Sequence, residues 1–112
     1  SRGLGDVYKR QISIARALIR QPELLILDDS LSAVDAQTER TIIDHIARVR
    51  QDKTNMIVSH RLSAVQSADL IIVMEQGRIV ESGTSEQLMV QKGWYYEQYL
   101  RQQVEGDHHE DI

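Results

Sequence analysis

The chain has 112 residues, 41% of them hydrophobic and 27% charged, with a net charge of −4 from 13 basic and 17 acidic residues and no cysteine. That length predicts a single domain and that balance a globular chain, while the lack of cysteine excludes a disulfide framework, a thiolate metal site and a cysteine nucleophile. Glu105, Asp107, Glu110 and Asp111 account for the whole net charge, so the rest of the chain offers no basic field to nucleic acid or an anionic membrane.

Along residues 11–20, Ile12, Ile14, Ala15, Leu18 and Ile19 recur at helical spacing, and Pro22 marks the end of a helix. Leu24-Leu25-Ile26-Leu27, closed by Asp28-Asp29, reads as a fully buried parallel strand. Asp35 is placed to cap the next helix, with Ile42, Ile43, Ile46 and Val49 lining its buried side down to Arg50. A second buried strand is expected over residues 55–59, ending at His60, then a short helical turn over 62–66. Residues 70–74, Leu-Ile-Ile-Val-Met, form the longest apolar run, which is far too short to span a bilayer. Nothing near the start has the apolar run of a signal peptide. Strands over 70–74 and 78–81, joined by Glu75-Gln76-Gly77, predict a hairpin. Thr84 and Gln87 form a capping box for a helix through about Gln91, and Gly93 is placed to stop it. A last amphipathic helix is expected over 94–104, before Gly106 and an unstructured acidic tail. Apart from Tyr8, all aromatics lie in Trp94, Tyr95, Tyr96 and Tyr99. An aliphatic core is therefore expected, with that aromatic segment packing on its own domain. The element order predicts an α/β fold with a mostly parallel sheet.

In such sheets ligands bind outside the carboxyl ends of the strands, which singles out Asp28, Asp29 and His60. A carboxylate there can hold Mg²⁺ through its water shell while its neighbour orients an attacking water, and a histidine on the adjacent strand can donate to a terminal phosphate. Taken alone, an acidic pair after a strand is also ordinary turn or helix-cap chemistry. The joint pattern is more specific: Leu24-Leu25-Ile26-Leu27-Asp28-Asp29-Ser30-Leu31-Ser32-Ala33-Val34-Asp35, then Ile57-Val58-Ser59-His60-Arg61.

That pattern resembles the nucleotide-binding domain of ABC transporters. Gln11-Ile12-Ser13-Ile14-Ala15-Arg16-Ala17-Leu18 looks like the helix after the family's signature loop, and residues 24–28 like its Walker B strand. The resemblance implies ATP and Mg²⁺ as cofactors, with Asp28 as the Mg²⁺ carboxylate. Ser32-Ala33-Val34-Asp35 is similar to the D-loop that touches a partner domain, and His60 to the switch histidine at the γ-phosphate. Residues 69–84 follow the family's closing hairpin. The implied fold is P-loop NTPase-like, with residues 12–104 as the C-terminal part of an ATP-binding domain and 105–112 as a disordered tail. The implied partners are a second ABC ATP-binding domain, in a heterodimer, and an exporter's transmembrane domain. The implied place is the cytoplasmic face of the cell membrane, and the implied role is to couple ATP binding and hydrolysis to export of drugs or lipophilic compounds.

Two departures qualify the resemblance. Asp29 stands where a hydrolysing site has glutamate, and a carboxylate one methylene shorter falls about 1–1.5 Å short of general-base distance. A hydrolytically weak site is the expectation, as in heterodimeric exporters with one degenerate site. Second, the Leu-Ser-Gly-Gly-Gln signature is replaced by Leu4-Gly5-Asp6-Val7-Tyr8. Asp6 puts negative charge, and Val7 a branched side chain, where a phosphate should approach the backbone. Residues 1–11 are therefore expected to be a foreign start, read from library adapter joined to a truncated frame. No G-x-x-x-x-G-K-[ST] phosphate loop occurs anywhere in the chain, so by itself it is expected to bind ATP weakly or not at all.

Other readings have less behind them. An inactive fragment is one alternative. A phosphoacceptor receiver domain is another, but it would need an Asp and a Lys after later strands, where Ser59-His60 and Glu75-Gln76 stand. His108-His109-Glu110-Asp111 could chelate a metal, although a solvated acidic tail is the plainer reading. Ser59 beside His60 lacks the G-x-S-x-G elbow of a hydrolase.

Overall fold

The computed structural model describes the backbone of residues 2–110 and the side chains of residue 9 and residues 12–105. The chain divides into two compact units, Ser1–His60 and Arg61–Ile112.

The first unit contains α1 (Arg2–Ile19), β1 (Leu24–Asp28), α2 (Ala36–Val49) and β2 (Thr54–Val58). The backbone of α1 is helical from Arg2, well before the expected start, because extending a nucleated helix costs little. Tyr8 and the candidate signature positions 4–8 lie outside the described side chains. Gln21 ends the helix in a left-handed conformation (φ 49), its N–H donating to the Leu18 carbonyl at 3.0 Å, with Pro22 directly after. The inward face of α1 is Ile14, Ala17 and Leu18. Ile12 and Ile19, expected on that face, are exposed; seven residues apart, they share the opposite side of the helix.

Buried Leu25, Leu27 and Ile46 form the first core, and Ile14, Ala17, Leu18, Ile42 and Ile57 pack against it. On α2 the buried stripe is Glu39, Ile43 and Ile46, continued by Arg50. Val49, expected inside, is exposed because it lies to one side of that stripe. Arg50 is tolerated in the interior because its guanidinium is bonded: Nε donates to Asn55 Oδ1 at 2.6 Å and Nη2 to the Thr54 carbonyl at 3.3 Å. The two strands pair in parallel, Leu24 opposite Thr54 and Asp28 opposite Val58. They are not fully buried as their composition suggested. Both helices contact the Leu25/Leu27 side, so Leu24, Ile26, Met56 and Val58 alternate onto an exposed face.

The second unit contains α3 (Leu62–Val65), β3 (Ile71–Glu75), β4 (Arg78–Gly83), α4 (Ser85–Gln91) and α5 (Trp94–Glu110). Its hairpin forms a separate antiparallel sheet rather than extending the parallel pair. Gln76 (φ 50) and Gly77 (φ 75) supply the positive φ at both central positions that a two-residue hairpin turn demands. A bulge leaves Val80 without a partner, since Met74 pairs with Ile79 but Val73 with Glu81. Glu81 is thereby carried to the inner side beside Val73, while Met74 and Ile79 stay exposed.

The second core is not purely aliphatic. Tyr95, with no exposed surface, sits among Leu62, Ile71, Val73 and Leu88, and its hydroxyl hydrogen-bonds Ser85 Oγ at 2.9 Å. The aromatic segment thus packs on its own unit through Tyr95 and Tyr99, with Trp94 half exposed. The Thr84–Gln87 capping box is present. Gly93 does not stop α4, because Lys92 takes the left-handed position (φ 56). Gly93 instead makes room for Glu81: a Cβ there would lie 2.9 Å from Glu81 Oε1 and 3.0 Å from Cδ. The other oxygen, Oε2, accepts from the N–H groups of Trp94 (2.8 Å) and Tyr95 (3.3 Å), capping α5 from a neighbouring strand. Past the expected end at Val104, α5 continues through Gly106 to Glu110, where an unstructured tail was expected. One interior glycine costs about 1 kcal/mol and does not by itself end a helix. The side chains of His108 and His109 lie outside those described. Among the described residues no helix is long and apolar enough to cross a membrane.

Gly93→Ala should destabilise the chain by about 1–3 kcal/mol through this overpacking, measured by thermal or urea denaturation. In a Glu81→Ala background the same substitution should cost less than about 0.5 kcal/mol. Equal costs in the two backgrounds would show that the carboxylate is not what excludes the methyl group.

Candidate functional site

Parallel pairing puts the carboxyl ends of β1 and β2 on one rim. Asp28 ends β1 opposite Val58, and His60 follows Val58 by two residues, so the register brings these strand ends together. The ladder runs one rung further, with the Asp29 N–H donating to the Val58 carbonyl at 2.9 Å. Asp29 makes that bond in a left-handed conformation (φ 56), which turns the chain out of the sheet. Its own carbonyl accepts from the Ser32 N–H at 3.3 Å, and Val34 N–H donates to the Leu31 carbonyl at 3.2 Å. Asp28, Asp29 and His60 are all exposed, while Leu31 anchors the connecting loop in the interior.

Asp35 has a defined task of its own. It is the N-cap of α2, its Oδ2 accepting from the Thr38 N–H at 3.1 Å and its Oδ1 from the Thr38 hydroxyl. These bonds, the hydroxyl's foremost, hold its carboxyl below the ordinary value of 3.8. The sequence reading anticipated the cap but missed Thr38; a hydroxyl three residues after an N-cap aspartate was the available signal.

An exposed carboxylate at a strand end suits Mg²⁺, which keeps most of its waters and binds through one or two carboxylates. Among the described residues no group of three or more His, Asp or Glu side chains is arranged to hold a metal directly. A cavity of about 250 Å³ lies beside β1, lined by Ile14, Ala17, Ile26, Leu27 and Ser30 among others. None of Asp28, Asp29 or His60 lines it, so it is not the place where the rim's polar groups converge.

No protein-family model matches the chain. Individual proteins do. Over 101 residues, 90% of its length, it is 60% identical to a probable multidrug resistance ABC transporter ATP-binding/permease protein, YheI, of Bacillus subtilis. It is 46% identical over 105 residues to the ABC multidrug transporter MDR2 of Trichophyton rubrum. The structure of a bacterial Atm1-family ABC exporter with ATP bound matches 85% of the chain with a TM-score of 0.76 and 35% identity. The chain spans only 17% of the Bacillus protein, 8% of the Trichophyton protein and 17% of the exporter chain.

Asp35→Ala should lower the thermal midpoint, whereas Asp35→Asn, which keeps an acceptor, should lower it less. The folded carboxyl titrates below its unfolded value, so its contribution is complete above pH 3.8 and is lost as pH falls through the folded value. The wild-type advantage over Asp35→Ala should shrink across that acid window; a difference independent of pH would refute the charged cap.

Proposed function

Since the chain belongs to the ABC transporter family, we propose that it is part of the ATP-binding unit of an exporter that couples ATP binding and hydrolysis to transmembrane export. The observation that carries this reading is the shared rim of Asp28, Asp29 and His60, in a chain so similar to multidrug transporters. Asp28 would hold Mg²⁺ through water, His60 would donate to the terminal phosphate of ATP, and Asp35 would lie in the loop facing a partner domain. The metal, when bound, would neutralise charge between phosphates. Asp29 stands at the general-base position with a side chain one methylene short, which favours a hydrolytically weak site whose main task is to bind.

Residues 12–104 would then be the C-terminal part of the ATP-binding domain. The exposed apolar face of Leu24, Ile26, Met56 and Val58 supports this, because parallel strands are ordinarily covered on both faces. The phosphate cradle would come from other parts of the transporter, since the chain carries no phosphate-loop motif. A second ATP-binding domain, different in sequence, and a transmembrane domain complete the proposed assembly at the cytoplasmic face. Drugs or lipophilic compounds are the proposed cargo, by analogy with the multidrug relatives.

In a full-length heterodimeric transporter carrying this segment, Asp29→Glu should raise hydrolysis at this site by about 10²-fold, the usual contribution of a positioned base. An unchanged single-site rate would sink the weak-site reading. The missing phosphate-loop motif favours a second reading for the 112-residue chain alone, that of a fragment without ATPase activity. Titration with Mg-ATP should show no saturable binding at micromolar concentration, and saturation there would contradict that reading.

A further inference from the structure

We propose that Gln102 of α5 is a positioning residue for His60: it holds the chain at Leu62, two residues past the histidine, and so sets how the ring meets the terminal phosphate of ATP. This rests on the role given to His60 in the proposed function. The helix α3 (Leu62–Val65) is a single turn, too short to persist unaided, and its first N–H groups need acceptors from outside it. Arg61 stands at its N-cap and makes no side-chain capping bond, since arginine carries donors only. The acceptor comes from near the far end of the chain, the Leu62 N–H donating to Gln102 Oε1 at 2.9 Å. The side chain of Leu62 is buried in the core cluster that holds Leu88 and Tyr95. Main chain and side chain together therefore fix Leu62 in the second unit.

Helical spacing places Gln102 for this bond. Tyr95, Tyr99 and Gln102 lie on one face of α5, and the buried Tyr95 with the partly buried Tyr99 seats that face on the core. On the other side of His60, Val58 is held within the first unit: it pairs with Asp28, and its carbonyl accepts from the Asp29 N–H at 2.9 Å. Only residues 59–61 link these two bonded points, and His60 is the middle one and the last residue of the first unit. Because His60 is exposed, the chain on its two sides limits where its ring can go. A ring held from both sides loses less freedom on meeting a phosphate than one held from one side.

The test uses the full-length transporter carrying this segment and reads nucleotide binding without hydrolysis. Mg-AMP-PNP and Mg-ADP each compete with an azido-ATP photoprobe, scored on the polypeptide that contains the segment. ADP lacks the terminal phosphate, so the ratio of the two affinities isolates the contact assigned to His60. His60→Ala should cut the preference for AMP-PNP by about tenfold and Gln102→Leu by about threefold, with ADP binding unchanged. Gln102→Glu, which keeps an acceptor at the same reach, should retain the preference. The double variant should lose no more than His60→Ala alone, because Gln102 acts through the ring. Hydrogen exchange of a peptide spanning residues 61–66 should be about fivefold faster in Gln102→Leu and near wild type in Gln102→Glu. Equal weakening of both nucleotides in Gln102→Leu would mark an ordinary structural contact and overturn the inference, and additive losses in the double variant would overturn it as well. Should Gln102→Leu not assemble, Gln102→Ala carries the comparison. A loss in His60→Ala without one in Gln102→Leu overturns this inference alone. No loss in His60→Ala overturns the terminal-phosphate role, and this inference with it. Hydrolysis is not read, so the weak-site reading of Asp29 alters none of these outcomes.

Discussion

The parallel pairing of β1 with β2 is the constraint on which the candidate site depends. Parallel strands bring their carboxyl ends to one rim, but only if the chain first travels back the full length of the sheet. Here α2 makes that return, and its polar contacts serve to fix where it begins and ends. Asp35 and Thr38 define its first turn. Arg50 closes its last turn, donating its own N–H to Ile46 while its guanidinium holds Thr54 and Asn55 at the start of β2. The pair is then bonded at both ends, Thr54 N–H to Glu23 carbonyl at 3.0 Å and Asp29 N–H to Val58 carbonyl at 2.9 Å. The Lys53–Glu23 ion pair at 3.2 Å lies beside the first of these, but it is partly exposed and contributes little energy. The backbone rungs and the buried guanidinium are what fix the register.

The second unit solves a different problem with similar means. Residues Gly93 and Trp94 must turn the chain from α4 into α5 while Tyr95 enters the core. A carboxylate from β4 satisfies the orphan amides of the new helix, and the bulge at Val80 is what turns Glu81 toward them. The cost is an inner oxygen, Oε1, that is buried with no hydrogen-bond partner and pressed against Gly93. Full burial of Tyr95, and its bond to Ser85, offset that cost by removing a large aromatic ring from water.

Local chemistry explains what was legible in the sequence. The Thr84–Gln87 box, the Asp35 cap, the hairpin expected through Glu75-Gln76-Gly77 and the strand runs at 24–27 and 70–74 all act within a few residues of themselves; each is present, although β3 runs from Ile71 to Glu75 and leaves only Gln76-Gly77 in the turn. Features that depend on distant partners were not legible. Nothing local to Arg50 signals its burial, which comes from bonds to Thr54 and Asn55 of β2, and Val49 read as core by apolarity alone. Gly93 was assigned to the commonest use of glycine after a helix, because nothing local reveals a carboxylate arriving from twelve residues earlier. Asp28 and His60 were found at the rim because strand ends can be read from composition. The left-handed backbone at Asp29 could not be, since a turn-favouring aspartate fits several turn and cap conformations and its identity alone does not select one.

The same rim shows how backbone and side chain divide the work. Register and the Asp29 turn fix where Asp28, Asp29 and His60 leave the main chain, but all three side chains are exposed. Exposed carboxylates keep much of their rotamer freedom, and ordering each would cost about 0.5–1.5 kcal/mol. Preorganised electrostatic stabilisation needs groups held still in a water-poor setting. On the proposed function, that setting would come from nucleotide and from protein surface outside these 112 residues, closing over a rim whose backbone is already in place. On that reading, the backbone fixes where the carboxylates of Asp28 and Asp29 begin, and the ordering of their exposed ends would be the contribution of the surfaces that meet them.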